Sequence, residues 1–115
     1  MKMIDRAKAH YKRLADEPQE IRVPEWDDET GECIIYATPL TLAERVRLDK
    51  HSSNQPEMAV EMVILKAKDR DGNPLFTRED KIPLMRATDE KVIARIAQHI
   101  ARADIQAMVE EAEKN

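Results

Sequence analysis

The densest run of apolar positions in the chain lies between Pro56 and Lys68, where Met58, Ala59, Val60, Met62, Val63, Ile64, Leu65 and Ala67 fall within a dozen residues. Coiled as a helix, this run is apolar around most of its circumference and has to be wrapped by other elements. Periodicity alone does not separate helix from strand over Val60 to Leu65. The good helix formers Met, Ala, Glu, Leu and Lys decide for helix, and Asn54 followed three residues later by Glu57 supplies a start signal. The run stops at Asp69-Arg70-Asp71-Gly72-Asn73-Pro74, where Gly72 can take positive φ and Pro74 has no backbone donor. Leu75 and Phe76 then precede Thr77-Arg78-Glu79-Asp80. There Thr77 can cap a new first turn, the acidic side chains sit at the positive end of its dipole, and Leu75 or Phe76 can act as its hydrophobic staple. Two packed helices joined by a turn are expected.

The flanking pattern fills in the rest. Lys2 to Asp16 carries Ile4, Ala7, Tyr11 and Leu14 at spacings of three and four, a narrow stripe on a basic helix. Gln19 to Trp26 and Glu32 to Thr38 read as two strands around the polar turn Asp27 to Gly31. Pro24 makes the first an edge strand, and an isolated hairpin needs helices packed on one face. Trp26, the largest apolar surface in the chain, is expected to anchor the hairpin half-buried. Thr41 and Glu44 form a capping box, with Leu40 as staple, for a helix from Leu42 to about His51 whose apolar positions are Leu42, Ala43, Val46 and Leu48. After a short helix from Lys81 to Arg86, Thr88 is expected to cap the last helix, Asp89 to Glu113, with Val92, Ile93, Ile96, Ala97, Ile100 and Ala101 on its broad face. At ~1.5 Å per residue that helix would be about 36 Å long, so its end projects, carrying Ile105, Met108 and Val109.

These elements define an α+β, mainly helical fold: an N-terminal helix, a β-hairpin and a bundle of about four helices. The corresponding boundaries are 1–18 for the basic helix, 19–102 for the core and 103–115 for the projecting end.

The chain has 115 residues, one domain's worth, with net charge −4, 37% charged residues and 3% aromatics. The core must therefore be aliphatic. An acidic balance gives no general attraction to nucleic acid or to an anionic membrane, and no apolar run approaches the ~20 residues of a spanning helix. A lone cysteine, Cys33, fits a reducing cytoplasm and reads as a small hydrophobe.

Sites for chemistry are scarce. Asp69-x-Asp71-x-Asn73 begins like a calcium loop, but Pro74 stands at the sixth position and Asp80 at the twelfth, so a tight turn is the better reading. His10, His51 and His99 stand in no metal-ligand pair, and two glycines, Gly31 and Gly72, cannot build a phosphate cradle. No nucleophile elbow surrounds Cys33, Ser52 or Ser53. The expectation is a protein that works by contact: no catalytic residues, no cofactor and no metal.

The order of a hairpin, TPLTLAER at Thr38 to Arg45, an aliphatic helix leading into DRDGNPLFTRED at Asp69 to Asp80, and TDEKVIARIAQHI from Thr88 resembles the tail assembly chaperone family of long-tailed bacteriophages. The resemblance covers about Ile21 to Ala101, and its matching residues Asp71, Gly72, Leu75, Phe76 and Thr77 transfer only as turn and cap. It implies a non-enzymatic protein of the host bacterial cytoplasm, absent from the mature virion. Such a protein binds the tape measure protein, keeps it soluble and helps recruit major tail protein. The run from Ala103 to Asn115 is longer and more charged than the family's short form.

Two apolar surfaces suit such a partner: Met3, Ile4 and Tyr11 on the first helix, and Ile105, Met108 and Val109 on the last. The alternative from another class is a small structural adaptor or completion subunit retained in the particle. A third is a nucleic-acid module using the basic first helix. The pattern fixes no oligomeric state.

Overall fold

The computed structural model describes residues 2–101. The mainly helical α+β fold expected from the pattern is the observed one. A first helix, α1 (Met3–Asp16), buries none of its residues fully. Strand β1 (Gln19–Arg22) pairs antiparallel with β2 (Ile34–Ala37), placing Ile21 opposite Ile35. Both of these are buried, together with Val23 and Ala37, so one face of the hairpin belongs to the core. The strands are shorter than their β-prone sequence suggests. Pro24 opens a 3-10 turn, Pro24–Trp26, because its fixed φ and missing donor suit a first turn better than a ladder.

Helix α2 (Leu42–Lys50) starts at the predicted box: the Glu44 N–H donates to Thr41 Oγ1, and the Thr41 N–H to Glu44 Oε1. Its apolar face is a correction. Only Leu48 is buried, whereas Leu42 is 87% exposed and Val46 53%. Helix α3 (Gln55–Lys66) begins where Asn54 Oδ1 accepts from the Glu57 N–H, and it carries the centre of the core, with Val60, Met62, Val63 and Ile64 buried.

After α3 the chain does more than turn. The Tyr36 N–H donates to the Lys68 carbonyl and the Lys68 N–H to the Tyr36 carbonyl, so Lys68 covers the side of β2 that β1 leaves open. The Leu75 N–H reaches back to the Ala67 carbonyl and the Asp69 N–H to the Asn73 carbonyl, closing a miniature hairpin. Gly72 takes φ +86° at its tip, and the Asp69 carboxylate accepts from the Asp71 and Asn73 N–H groups. That arrangement is what the calcium-like spelling encodes. At Tyr36, β2 is thereby bridged on both sides, which shortens the stretch of edge open to foreign strands.

A 3-10 turn, Arg78–Asp80, feeds the short α4 (Lys81–Arg86), and the Thr77 N–H donates to the Asp80 carboxylate. The last helix, α5, is described over residues 90–101. Its cap differs from expectation. Thr88 Oγ1 donates to the Leu84 carbonyl, closing α4, and Asp89 Oδ1 accepts from the Lys91 N–H and caps α5 instead. Val92, Ile93, Ile96, Ala97 and Ile100 of α5 join Ile21, Ile35 and the α3 residues in one aliphatic cluster. The Trp26 and Phe76 rings meet edge to face at its border, centroids 6.2 Å apart.

Candidate functional site

Among the described residues, two acidic or basic side chains lie inside this aliphatic core, both on α3. Lys66 is 2% exposed, and its ammonium donates to Thr38 Oγ1 (2.8 Å), the Pro39 carbonyl (3.3 Å) and both oxygens of Glu44 (3.0 and 3.1 Å). Glu61 is 3% exposed and is clamped by the Arg78 guanidinium, with Lys81 Nζ 2.8 Å away. Burial alone would raise the Glu61 carboxyl, but the hydrogen bonds from Arg78 and Lys81 outweigh it and hold its pKa below the ordinary value. A buried charge is tolerated when it is paired and its hydrogen bonds are filled. Here the pairs tie α3 at two points: its last residue, Lys66, to the start of α2, and Glu61, midway along the helix, to the turn before α4.

With α3 held in this way, a groove of about 850 Å³ opens between α3, α4 and α5, roofed at one end by residues 52–55. Its floor is formed by the buried Val60, Met62, Leu84, Ile93 and Ala97. Along its rim stand Met58, half-buried, Met85, 44% exposed, and the exposed Ala94. Small residues from the facing helices, Ala59 of α3 and Ala101 of α5, line its walls. Alanine walls let a helix backbone approach closely, while thioethers adapt to irregular partners. The groove has the size range of a binding cleft, and nothing in its lining converges as an acid, base or nucleophile would. Among the described residues no cluster of His, Cys, Asp or Glu could hold a metal ion.

The residues picked out from the sequence fare differently. Met3 and Ile4 are 71% and 58% exposed at the outer end of α1. Tyr11 is not an open contact: its hydroxyl donates to the Pro39 carbonyl at 2.9 Å and ties α1 to the body. Ile105, Met108 and Val109 lie outside the described residues. Asp71, Gly72, Leu75, Phe76 and Thr77 form the turn and cap, with Phe76 packed on Trp26 and Leu75 42% exposed. The groove itself escaped the sequence reading, because Met58 and Met62 looked like core of a wrapped helix and Met85 sat in a helix of only six residues. The signal was present in the alanines of α5, which repeat at Ala94, Ala97 and Ala101 beside the Ile93-Ile96-Ile100 stripe.

Electrostatic ties elsewhere are exposed. Arg95 on α5 grips Glu25 at 2.5 and 2.7 Å, and the hydrogen bonds from Arg95 hold that carboxyl down at about 2. Arg22 grips Asp27 twice at 2.6 Å, and Asp27 also accepts from the Cys33 N–H, which together hold its carboxyl at about 2. Burial pushes the half-buried Cys33 thiol up, away from the reactive thiolate.

No helix among the described residues is long and apolar enough to cross a membrane. Compared with protein-family models, curated proteins and solved structures, the chain has no significant match.

Proposed function

We propose that this protein is a phage tail assembly chaperone, a non-enzymatic protein of the infected cell that holds apolar helical stretches of the tape measure protein in its α3–α4–α5 groove. The observation that carries the reading is the groove: methionine-rimmed, alanine-walled and apolar along its floor, with Arg45 and Glu90 among its lining residues. An amphipathic helix lays its apolar face into such a cleft, and methionine makes the recognition tolerant of sequence. Tolerance is what a long partner with many similar helical stripes requires. The order of hairpin, TPLTLAER, DRDGNPLFTRED and terminal aliphatic helix supports the family part of the reading. Recruitment of major tail protein belongs to the same proposal.

Co-expression tests it. The long tape measure protein encoded alongside this chain is expected to be insoluble alone and to become soluble and co-purify when the chain is present. Indifference of that protein to the chain would sink the proposal. The second reading, a small adaptor retained in the particle, is separated by mass spectrometry of purified virions, where a chaperone is missing and an adaptor is present.

A further inference from the structure

On the opposite side of α3 from the groove, a cleft of about 300 Å³ lies between α2, the Lys68 segment and the Phe76–Arg78 segment. Its apolar surface comes from Leu48, Ile64, Leu65 and Phe76. Around it stand Arg47, His51 and Lys68, and among the described residues none of these three has a carboxylate within ion-pair distance. Glu61, the one acid in the lining, spends its charge on Arg78 and Lys81. Arg78 in turn uses two of its five donors on Glu61 and is 54% exposed, so further donors face outward. Cations at the end of α2 are expected from the helix dipole. That explanation covers Arg47, but not Lys68, which arrives from the segment after α3.

We infer that this cleft is a second recognition site, distinct from the groove, for an acidic peptide segment in which a large apolar residue is flanked by carboxylates. The apolar residue fills the space against Leu48 and Phe76, and the carboxylates meet Arg47 and Lys68. Charge complementarity selects this occupant, since Arg47 and Lys68 flank the apolar surface and the one carboxylate in the lining, Glu61, is already held by Arg78 and Lys81. A phosphate group or a nucleic-acid backbone would leave the apolar surface uncovered, and the acidic remainder of the chain would repel a polyanion. The volume suits one large side chain with its neighbouring backbone.

The test uses the full chain, labelled with 15N, and two short peptides: one with Leu-Phe between glutamates, and a twin with glutamines in their place. The acidic peptide is expected to shift the amide signals of Arg47, His51, Lys68 and Phe76, and to bind at least about tenfold more tightly than the twin, as paired charges at a partly enclosed site allow. Arg47→Gln combined with Lys68→Gln is expected to reduce the acidic peptide to the twin's affinity while the twin is unaffected. Equal affinities of the two peptides for the unaltered chain, or shifts confined to other surfaces, would overturn the inference without recourse to any variant. Tighter binding of inorganic phosphate than of the acidic peptide at these residues would also overturn it.

Discussion

The ammonium of Lys66 sits 3.0 Å from Glu44 Oε1, against a largely aliphatic core. The same oxygen accepts from the Thr41 N–H and so belongs to the cap of α2. One carboxylate therefore both starts a helix and neutralises the end of another, which couples the local signal at Thr41 to the position of α3. Removing Glu44 leaves the charge of Lys66 uncompensated, so Glu44→Ala is expected to cost about 3 kcal/mol. Lys66→Met removes the charge while filling the space, and is expected to cost about 1 kcal/mol or less. Urea denaturation of the two variants measures the difference, and equal losses would show that the pair acts only as a cap.

Glu61 obeys the same asymmetry with its partners further out. Arg78 and Lys81 are partly exposed and can return to water, whereas Glu61 cannot. Glu61→Leu should therefore cost less than Arg78→Ala combined with Lys81→Ala, which strands a buried carboxylate and is expected to cost about 3 kcal/mol. Thermal melts of both proteins at neutral pH give the order.

Acid should loosen the fold through a defined set of carboxyls. Glu25 is lowered from 4.5 to about 2, Asp27 from 3.8 to about 2, and Glu61 is lowered as well. Each folded-state value lies below the unfolded one, so the stabilisation is complete above about pH 4.5 and is lost as the pH falls toward 2. Melting temperature should stay level from neutrality to about pH 5 and then fall. Glu25→Gln with Asp27→Asn should flatten that fall, and added salt should mimic the double substitution because both pairs are exposed. A melting temperature that dropped already between pH 7 and 5 would point to other groups.

Much of the fold was legible because its punctuation is local. Thr41 with Glu44, Asn54 with Glu57, and the Gly72 turn each declare themselves within four residues, and each stands where the spelling puts it. What was not legible depends on distant parts of the chain. Lys68 pairs with Tyr36 across 32 positions, and nothing in the spelling of either announces this isolated bridge. Leu42 and Val46 have the spacing of a core stripe yet face outward, since α2 is held by Leu48 and by the Glu44–Lys66 pair. A threonine and an aspartate side by side at Thr88-Asp89 offered two caps, and the position of Leu84 gave the threonine to α4. Glu61 and Lys66 could have been suspected from one consideration: charges within a helix that must be wrapped need partners, and Arg78, Lys81 and Glu44 were available.

Gly72 isolates a backbone effect. A Cβ there would meet nothing within 4 Å, so the cost of Gly72→Ala comes from φ +86° alone. About 1 kcal/mol is expected, with unaltered tertiary contacts. A loss near zero, read by denaturation, would mean that the Asp69–Asn73 turn relaxes without penalty.

Trp26 is the only tryptophan, which makes its contact with Phe76 directly observable. Phe76→Leu should shift Trp26 emission to longer wavelength while the chain stays folded. Unchanged emission would place the ring's environment elsewhere.

Under the proposed function, the groove between α3, α4 and α5 receives a helix of the tape measure protein. Met85→Glu with Ala94→Glu puts two carboxylates on its rim at exposed positions, where substitutions typically move stability by only about 0.5 kcal/mol each. The direct measurement is calorimetric titration of the purified chain and of this variant with a soluble helical fragment of the tape measure protein. Binding by the unaltered chain and its loss in an equally stable variant are expected. Unchanged binding by that variant would place the partner surface elsewhere on the fold and overturn the groove as its site.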